Sequence, residues 1–408
     1  MAMVPRLVLA PLLVLLGAPL VAAQTLAVTN ASIIDASAPV PVRVGSIVVR
    51  NGRIVAVGPR VAIPAGALVV DATDKFVVPG LWDMHAHLAA LTPIGRAPEH
   101  YVSYGVLNLR DMGGFLDQLL PLRAEIHSGR RTGPELVLAG PTLNSEQSAP
   151  FHRKVTTAAE ARAAVRELKA AGVDFIKIHR ATNREVFAAV ADETKRVDLS
   201  FSGHVPLVVS WADAARAGMR TIEHIQTIFE NLQPDLRMTP TLFDNFATRL
   251  EGALGDEIFA VLEAHGTYFD PTLVGYDATI DDTRPEQAAA RRQAFARMKL
   301  IAAKAAFAGV PIVTGTDVLD RHGDMLLREL EALVAIGMTP QQVLTAATAT
   351  SAAAAARPER GRIAVGAPAS FLVLDASPLR DIANLRRLSA VVLGGRLLSA
   401  ADLATLRQ

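Results

Sequence analysis

Val78-Pro-Gly-Leu-Trp-Asp-Met-His-Ala-His-Leu88 is the stretch on which the reading of this chain turns. Residues 81–87 follow a Pro-Gly break and read as a buried strand that ends in two histidines. On a strand, residues i and i+2 project to one face, so the imidazoles of His85 and His87 can reach a single ion. Taken alone, a His-x-His pair is weak evidence, and its weight depends on what surrounds it.

Working outward, seven further runs have strand character: 106–112, 136–139, 175–179, 199–204, 221–225, 268–273 and 311–316. Between most of them lie segments with helical periodicity, including 158–171, 208–217, 286–308 and 326–336. Eight strands alternating with helices over about 280 residues is the arithmetic of an α/β chain folded as a (β/α)8 TIM barrel, here 80–360. A doubly wound open sheet usually places a glycine-rich phosphate loop after its first strand, and nothing of that kind follows 81–87. The flanks differ. Ser46-Ile-Val-Val-Arg-Asn-Gly-Arg-Ile-Val-Ala-Val-Gly58 is a hairpin around Asn51-Gly52, 67–71 is another strand, and 371–375 and 390–398 supply matching material at the far end. The expectation is a small β-sandwich domain built from both ends of the chain, 24–79 and 361–408. The Ala-rich stretch 346–356 reads as the helix packing behind the last barrel strand.

In a barrel enzyme the carboxyl ends of the strands face the active site. The fifth strand ends in Ser202-Gly-His204 and the sixth in Ile222-Glu-His224. Thr314-Gly-Thr-Asp317 follows the eighth, and the fourth, Asp174-Phe-Ile-Lys-Ile-His179, sets Lys177 in an apolar run. A lone strand-end histidine is more often a hydrogen-bonded structural residue, and Asp317 alone could be a cap. Five strands that each deliver one such residue at the same end form a pattern which those separate explanations do not cover. A buried ammonium is costly unless paired or chemically altered, which singles out Lys177.

Composition narrows the chemistry. The 408 residues hold 41 Lys+Arg, 40 Asp+Glu, ten histidines and no cysteine. Without cysteine there are no disulfides, thiolate metal sites, cysteine nucleophiles or lipidated anchor. Near-zero net charge removes the electrostatic case for nucleic acid and points to a small-molecule substrate. Arg6, the apolar run 7–23 and Val21-Ala22-Ala23 before Gln24 read as a cleaved secretory signal over 1–23, hence a periplasmic or secreted protein with no membrane attachment after cleavage. No feature decides whether the chain pairs into a homo-oligomer.

The 78–88 stretch resembles the first-strand signature of the amidohydrolase superfamily. Gly105-Val-Leu-Asn-Leu-Arg-Asp-Met-Gly113 resembles its second strand, Thr221-Ile-Glu-His224 and Gly315-Thr-Asp317 its sixth and eighth, and 361–375 the return into the sandwich. Within the superfamily the chain is most similar to the imidazolonepropionase/prolidase-like branch. The resemblance implies two divalent ions, Zn2+ with Mn2+ or Co2+ as alternatives. His85, His87 and Asp317 would bind the first, His204 and His224 the second, and Lys177, carbamylated by CO2, would bridge them. It implies hydrolysis of an amide in a dipeptide or N-acyl amino acid by a metal-bridging hydroxide, with Asp317 as the catalytic proton acceptor. Trp82 and Ser370 depart from the usual residues at their positions.

Substrate contacts are expected in the loops after the strands: His152, Arg180, Tyr276 and His322, with His179 beside Lys177 on the same strand face. The same scaffold would serve a lactonase, an organophosphate esterase or a toxin-degrading amidase. A mononuclear deaminase usually lacks the fourth-strand lysine, and a non-catalytic binding barrel need not keep the whole ligand set.

Overall fold

The structure is a computed structural model and describes residues 25–38, 42–232 and 239–408. The segment read as an export signal lies outside the described residues. No helix among the described residues is long and apolar enough to cross a membrane.

The two chain ends meet in one mixed sheet of eight strands. Leu26–Ile34 is its hub, antiparallel to Val42–Arg50 and parallel to both Leu68–Asp71 and Phe76–Pro79. Phe371–Leu374 then adds antiparallel to Phe76–Pro79, followed by Leu388–Leu393 and Arg396–Ser399. The Asn51-Gly52 turn between Val42–Arg50 and Arg53–Gly58 has φ of 52° and 72°. Left-handed backbone at both positions matches the twist of the flanking strands, which is why this dipeptide makes a tight hairpin. Leu26, Val28, Ile33, Ile47, Val49, Val77, Phe371, Val373 and Val392 form a core that belongs to this sheet.

The middle of the chain forms two parallel sheets. Leu81–Ala86, Val106–Asp111 and Glu135–Leu138 make one. The other runs in the order His152–Lys154, Thr142–Asn144, Phe175–Ile178, Ser200–Gly203, Thr221–Glu223, Tyr268–Asp270. Seven of the eight expected strands are therefore present, and the two short strands 142–144 and 152–154 are additional. The eighth run differs. Residues 311–316 make only a single bridge, Ile312 to Phe269. Pro311 has no N–H to give, so the segment pairs irregularly. It still has partners on both sides: Val313 N–H donates to the Phe269 carbonyl, Met84 N–H to the Thr314 carbonyl at 2.8 Å, and Asp317 N–H to the His85 carbonyl at 2.9 Å. The third and fourth expected strands are joined by Asp174, whose N–H donates to the Leu138 carbonyl while its carboxylate accepts the Leu138 N–H.

Helices cover these sheets. Ala158–Ala171 starts at a Thr157/Glu160 capping box, ends at the left-handed Gly172, and buries Ala161, Ala164, Val165 and Leu168. That i, i+3, i+4, i+7 spacing is the stripe the sequence shows. Pro285–Phe307 and Asp324–Ala335 also match their expected segments closely, whereas the helix expected over 208–217 is only Trp211–Arg216. Behind the eighth run, Ser351 Oγ accepts the Thr314 N–H and donates to the Ala346 carbonyl.

Candidate metal centre

Six imidazoles form a row along the carboxyl ends of the parallel strands. From His87 through His85, His224, His204 and His179 to His152, successive ring centroids are 5.3, 4.5, 4.4, 4.3 and 4.7 Å apart. The period of two places His85 and His87 side by side, and His224 and Asp317 reach the row through left-handed backbone with φ of 69° and 53°. His85, His224 and Asp317 offer ligand atoms within 4.8 Å of one another.

The protons of the first pair are committed elsewhere. His85 Nδ1 lies 3.1 Å from Glu223 Oε2, and His87 Nδ1 lies 2.8 Å from the Gly113 carbonyl. Both partners only accept, so each imidazole donates from Nδ1 and turns the Nε2 lone pair towards Asp317 Oδ1, at 3.5 and 3.4 Å. A lone pair facing a carboxylate oxygen needs a cation or a proton between them. His87 shows the demand: burial pulls its pKa down, but its bond to Asp317 and that residue's charge leave it raised. On the far side, His224 Nε2, His204 Nδ1 and His179 Nδ1 are buried without a partner. Burial lowers His224 and His152 to about 4 and His179 to about 3, and takes His85 and His204 well below the usual range. These imidazoles are neutral at pH 7, the form in which histidine binds a metal. For Asp317 burial pushes upward, yet its contacts with the surrounding imidazoles, among them the hydrogen bond from His87, and the Lys177 ammonium outweigh it and hold the carboxyl below the usual carboxylate range.

Lys177 stands among them on Phe175–Ile178, its ammonium buried with no hydrogen-bond partner. Burial brings its pKa down to about 8. Gly203 on the adjacent strand makes the room, since a side-chain carbon there would meet the Ile178 carbonyl and come 2.8 Å from Lys177 Cδ. A buried lysine without a hydrogen-bond partner, among imidazoles and in the field of Glu223 and Asp317, suits a site that receives metal ions. The donor set is wholly nitrogen and oxygen, which fits Zn2+, Mn2+ or Co2+.

A buried support lies beneath the row, and the sequence reading did not single it out. Arg110 donates to the Met84 carbonyl, to Thr221 Oγ1 and, at 2.9 Å, to Glu223 Oε1, while the other Glu223 oxygen receives His85. Thr221 Oγ1 also bonds Glu223. Asp83 holds the His85 N–H, the Thr316 N–H and the Thr316 hydroxyl. Asp270 is buried with neither oxygen hydrogen-bonded and the Arg110 guanidinium 4.0 Å from Oδ2, and its pKa is pushed well up by burial and by Glu223. Gly315 fits against this layer, and a methyl group there would run into Asp270 Oδ2 and lie 2.6 Å from His85 Cβ. Gly315→Ala is expected to lower the stability of the metal-free protein by about 1–3 kcal/mol, read by denaturant unfolding. An unchanged midpoint would show that the layer gives way freely.

A cavity of about 590 Å3 opens beside the row. Thr272, Gly275, Tyr276 and Asp317 line its floor, and Phe229, Phe243 and Met298 its walls. Of the residues expected to touch substrate, Tyr276 lines this cavity, and Arg180 reaches its edge by pairing with Glu230 at 3.6 Å. His152 closes the histidine row, its Nδ1 bonded to Ser148 Oγ at 3.0 Å. His322 is placed otherwise: it packs on Tyr101 with ring centroids 5.1 Å apart and does not line the cavity, because the turn at Arg321 and Gly323 carries it towards the Ala97–Ser103 helix.

The sequence pattern of the amidohydrolase family matches residues 76–398. A dihydroorotase of Trichlorobacter lovleyi is 52% identical over 42 residues, which are 10% of this chain and 10% of that protein's length. A candidate prolidase structure from Bifidobacterium longum is 27% identical with a TM-score of 0.73, covering 94% of this chain and 98% of that one. A prolidase complexed with N-methylphosphonate-L-proline is 22% identical, TM-score 0.74, over 92% of this chain and all of the other. Bottromycin amidohydrolase is 22% identical, TM-score 0.76, over 94% and 88%.

Proposed function

This chain belongs to the amidohydrolase family, hydrolases of carbon–nitrogen bonds, and from that premise we propose that it is a binuclear metal-dependent enzyme cleaving the amide of a dipeptide or an N-acyl amino acid. The observation that carries the reading is the meeting of two Nε2 lone pairs, one carboxylate, two further neutral imidazoles and an unpartnered buried lysine at one end of the parallel strands. His85, His87 and Asp317 would hold one ion, His204 and His224 the other, and Lys177 as a carbamate would bridge them. Bound divalent ions supply a nucleophile at neutral pH and polarise a carbonyl.

The protein's own groups do the rest. Glu223 and the Gly113 carbonyl fix the tautomers of His85 and His87. Asp317, ionised and with about a third of its side chain open to the cavity, takes the proton of water at a carboxylate oxygen and returns it to the departing amine. The cavity orients the substrate against that carboxylate. The prolidase relatives support the substrate class. The division into a sheet domain from both ends and a barrel over 80–360 belongs to the same proposal. The hydrogen bonds of 311–317 to the first and seventh parallel strands support a closed barrel. Export through 1–23 is part of it too.

The test is to strip the protein with a chelator, reload it with Zn2+, Mn2+ or Co2+, count bound ions and screen dipeptides and N-acyl amino acids. The expected result is two ions per chain and amide cleavage that disappears on stripping. Lactone hydrolysis with no amide turned over would overturn it.

A further inference from the structure

The cavity beside Asp317 is walled by two segments outside the parallel strands, Pro240–Glu251 and Pro285–Phe307. Phe229 and Phe243 stack with centroids 4.4 Å apart on one side, and Tyr276 stacks on Phe295 at 5.4 Å near Met298 on the other. Its charged lining is engaged: Glu230 pairs with Arg180 at 3.6 Å, Asp244 with Arg297 at 3.6 Å, and Asp317 belongs to the proposed metal-ligand set. Arg291 is the single cation among the described lining residues. Arg291 is already engaged, stacked over the Tyr276 ring at 5.3 Å and hydrogen-bonded to Thr279. Among the lining residues, Gln226 keeps its side-chain carbonyl buried without a partner, two residues after His224.

A cavity with aromatic walls and no free cation among its described lining residues favours a neutral apolar group and offers an anionic one no partner. We infer that it is a specificity subsite for a large, uncharged, apolar or aromatic group attached next to the scissile amide, and that the preferred substrates are bulky amides rather than small or acidic ones. Gln226 Oε1 accepts the hydrogen bond of an amide N–H on that group, and Phe243, Met298 and Ala294 set how much of it fits. This rests on the hydrolase reading above and adds the substrate's shape and charge to it.

The experiment has two arms. In the first, the metal-loaded enzyme is given N-acetyl, N-benzoyl, N-octanoyl and N-succinyl L-proline and L-alanine, and a second series in which the amine half grows from alanine to phenylalanine. kcat/KM is expected to rise at least tenfold from acetyl to benzoyl or octanoyl, or from alanine to phenylalanine. The N-succinyl compounds are expected to be poorer than the benzoyl ones. Ala294→Phe, which fills the cavity, is expected to reduce that ratio about tenfold. In the second arm, calorimetry on the metal-free protein compares acetamide, N-benzylacetamide and N-(4-phenylbutyl)acetamide. Affinity is expected to rise about fourfold for each added methylene and to drop in Ala294→Phe. Amide cleavage with a flat dependence on size would overturn this inference and leave the hydrolase reading standing. If no amide is cleaved, that reading fails, and the calorimetric arm still decides the subsite: equal binding of the three probes overturns it.

Discussion

Lys177→Ala is expected to lower bound metal from two ions per chain towards one and to cut kcat by about a thousandfold. A loss of roughly 4 kcal/mol of transition-state stabilisation, the scale of one Lewis-acidic ion, corresponds to that factor. Metal content by emission spectroscopy and turnover on the best amide would be read together. Full loading with unchanged rate would remove the bridging role. A pH dependence follows from the same residue. Only the neutral amine attacks CO2, losing a proton to give the carbamate, and burial sets the Lys177 pKa at about 8. Below that pH the neutral fraction falls about tenfold per unit. Reactivation of the metal-free protein by Zn2+ at fixed dissolved CO2 is therefore expected to speed up about tenfold from pH 6 to pH 7 and to level off above about 8. A rate flat across this range would argue against carbamylation.

Glu223→Gln is the second large effect. The carboxylate is buried and serves three partners, Arg110 at 2.9 Å, His85 Nδ1 at 3.1 Å and the Thr221 hydroxyl. A neutral amide leaves the buried guanidinium short of its counter-charge, a change of about 3–5 kcal/mol in stability where one partner of a buried pair is removed. It also frees the His85 tautomer, and loss of such a supporting carboxylate typically weakens metal binding 10–100-fold. Titration of the metal-free variant with Zn2+ reads the second effect, and urea unfolding without metal reads the first. The Arg110→Met/Glu223→Met double variant is expected to be more stable than Glu223→Met alone, because neither charge is then stranded. Wild-type zinc affinity in Glu223→Gln would show that His85 needs no such support.

How much could be read in advance varies with the range of the signal. The Asn51-Gly52 hairpin and the Ala158–Ala171 helix rest on contacts a few residues apart, and both stand as expected. His85, His87, Lys177, His204, His224 and Asp317 were legible because strand period and strand-end position place them without any knowledge of packing. The irregular run 311–316 was overestimated as a strand, since Pro311 and the demands of Trp82 and Asp83 on Thr314 and Thr316 interrupt regular pairing. Arg110 was not singled out as a site residue. Its partner Glu223 is 113 residues away, and the two runs that resemble the second and sixth strand signatures do not show that these residues pair.

The sequence by itself determined the alternation of strands and helices, the strand character of both flanks, and the nitrogen and oxygen donors available at the strand ends. Those follow from local periodicity and from the absence of cysteine. Only the tertiary structure decided which imidazoles keep a free lone pair, that a buried Arg110–Glu223 pair orients His85, that His322 packs on Tyr101 outside the cavity lining, and that an aromatic cavity stands beside Asp317. Each of these depends on side chains distant in sequence being packed out of water against one another, and packing at that range leaves no mark in the order of residues.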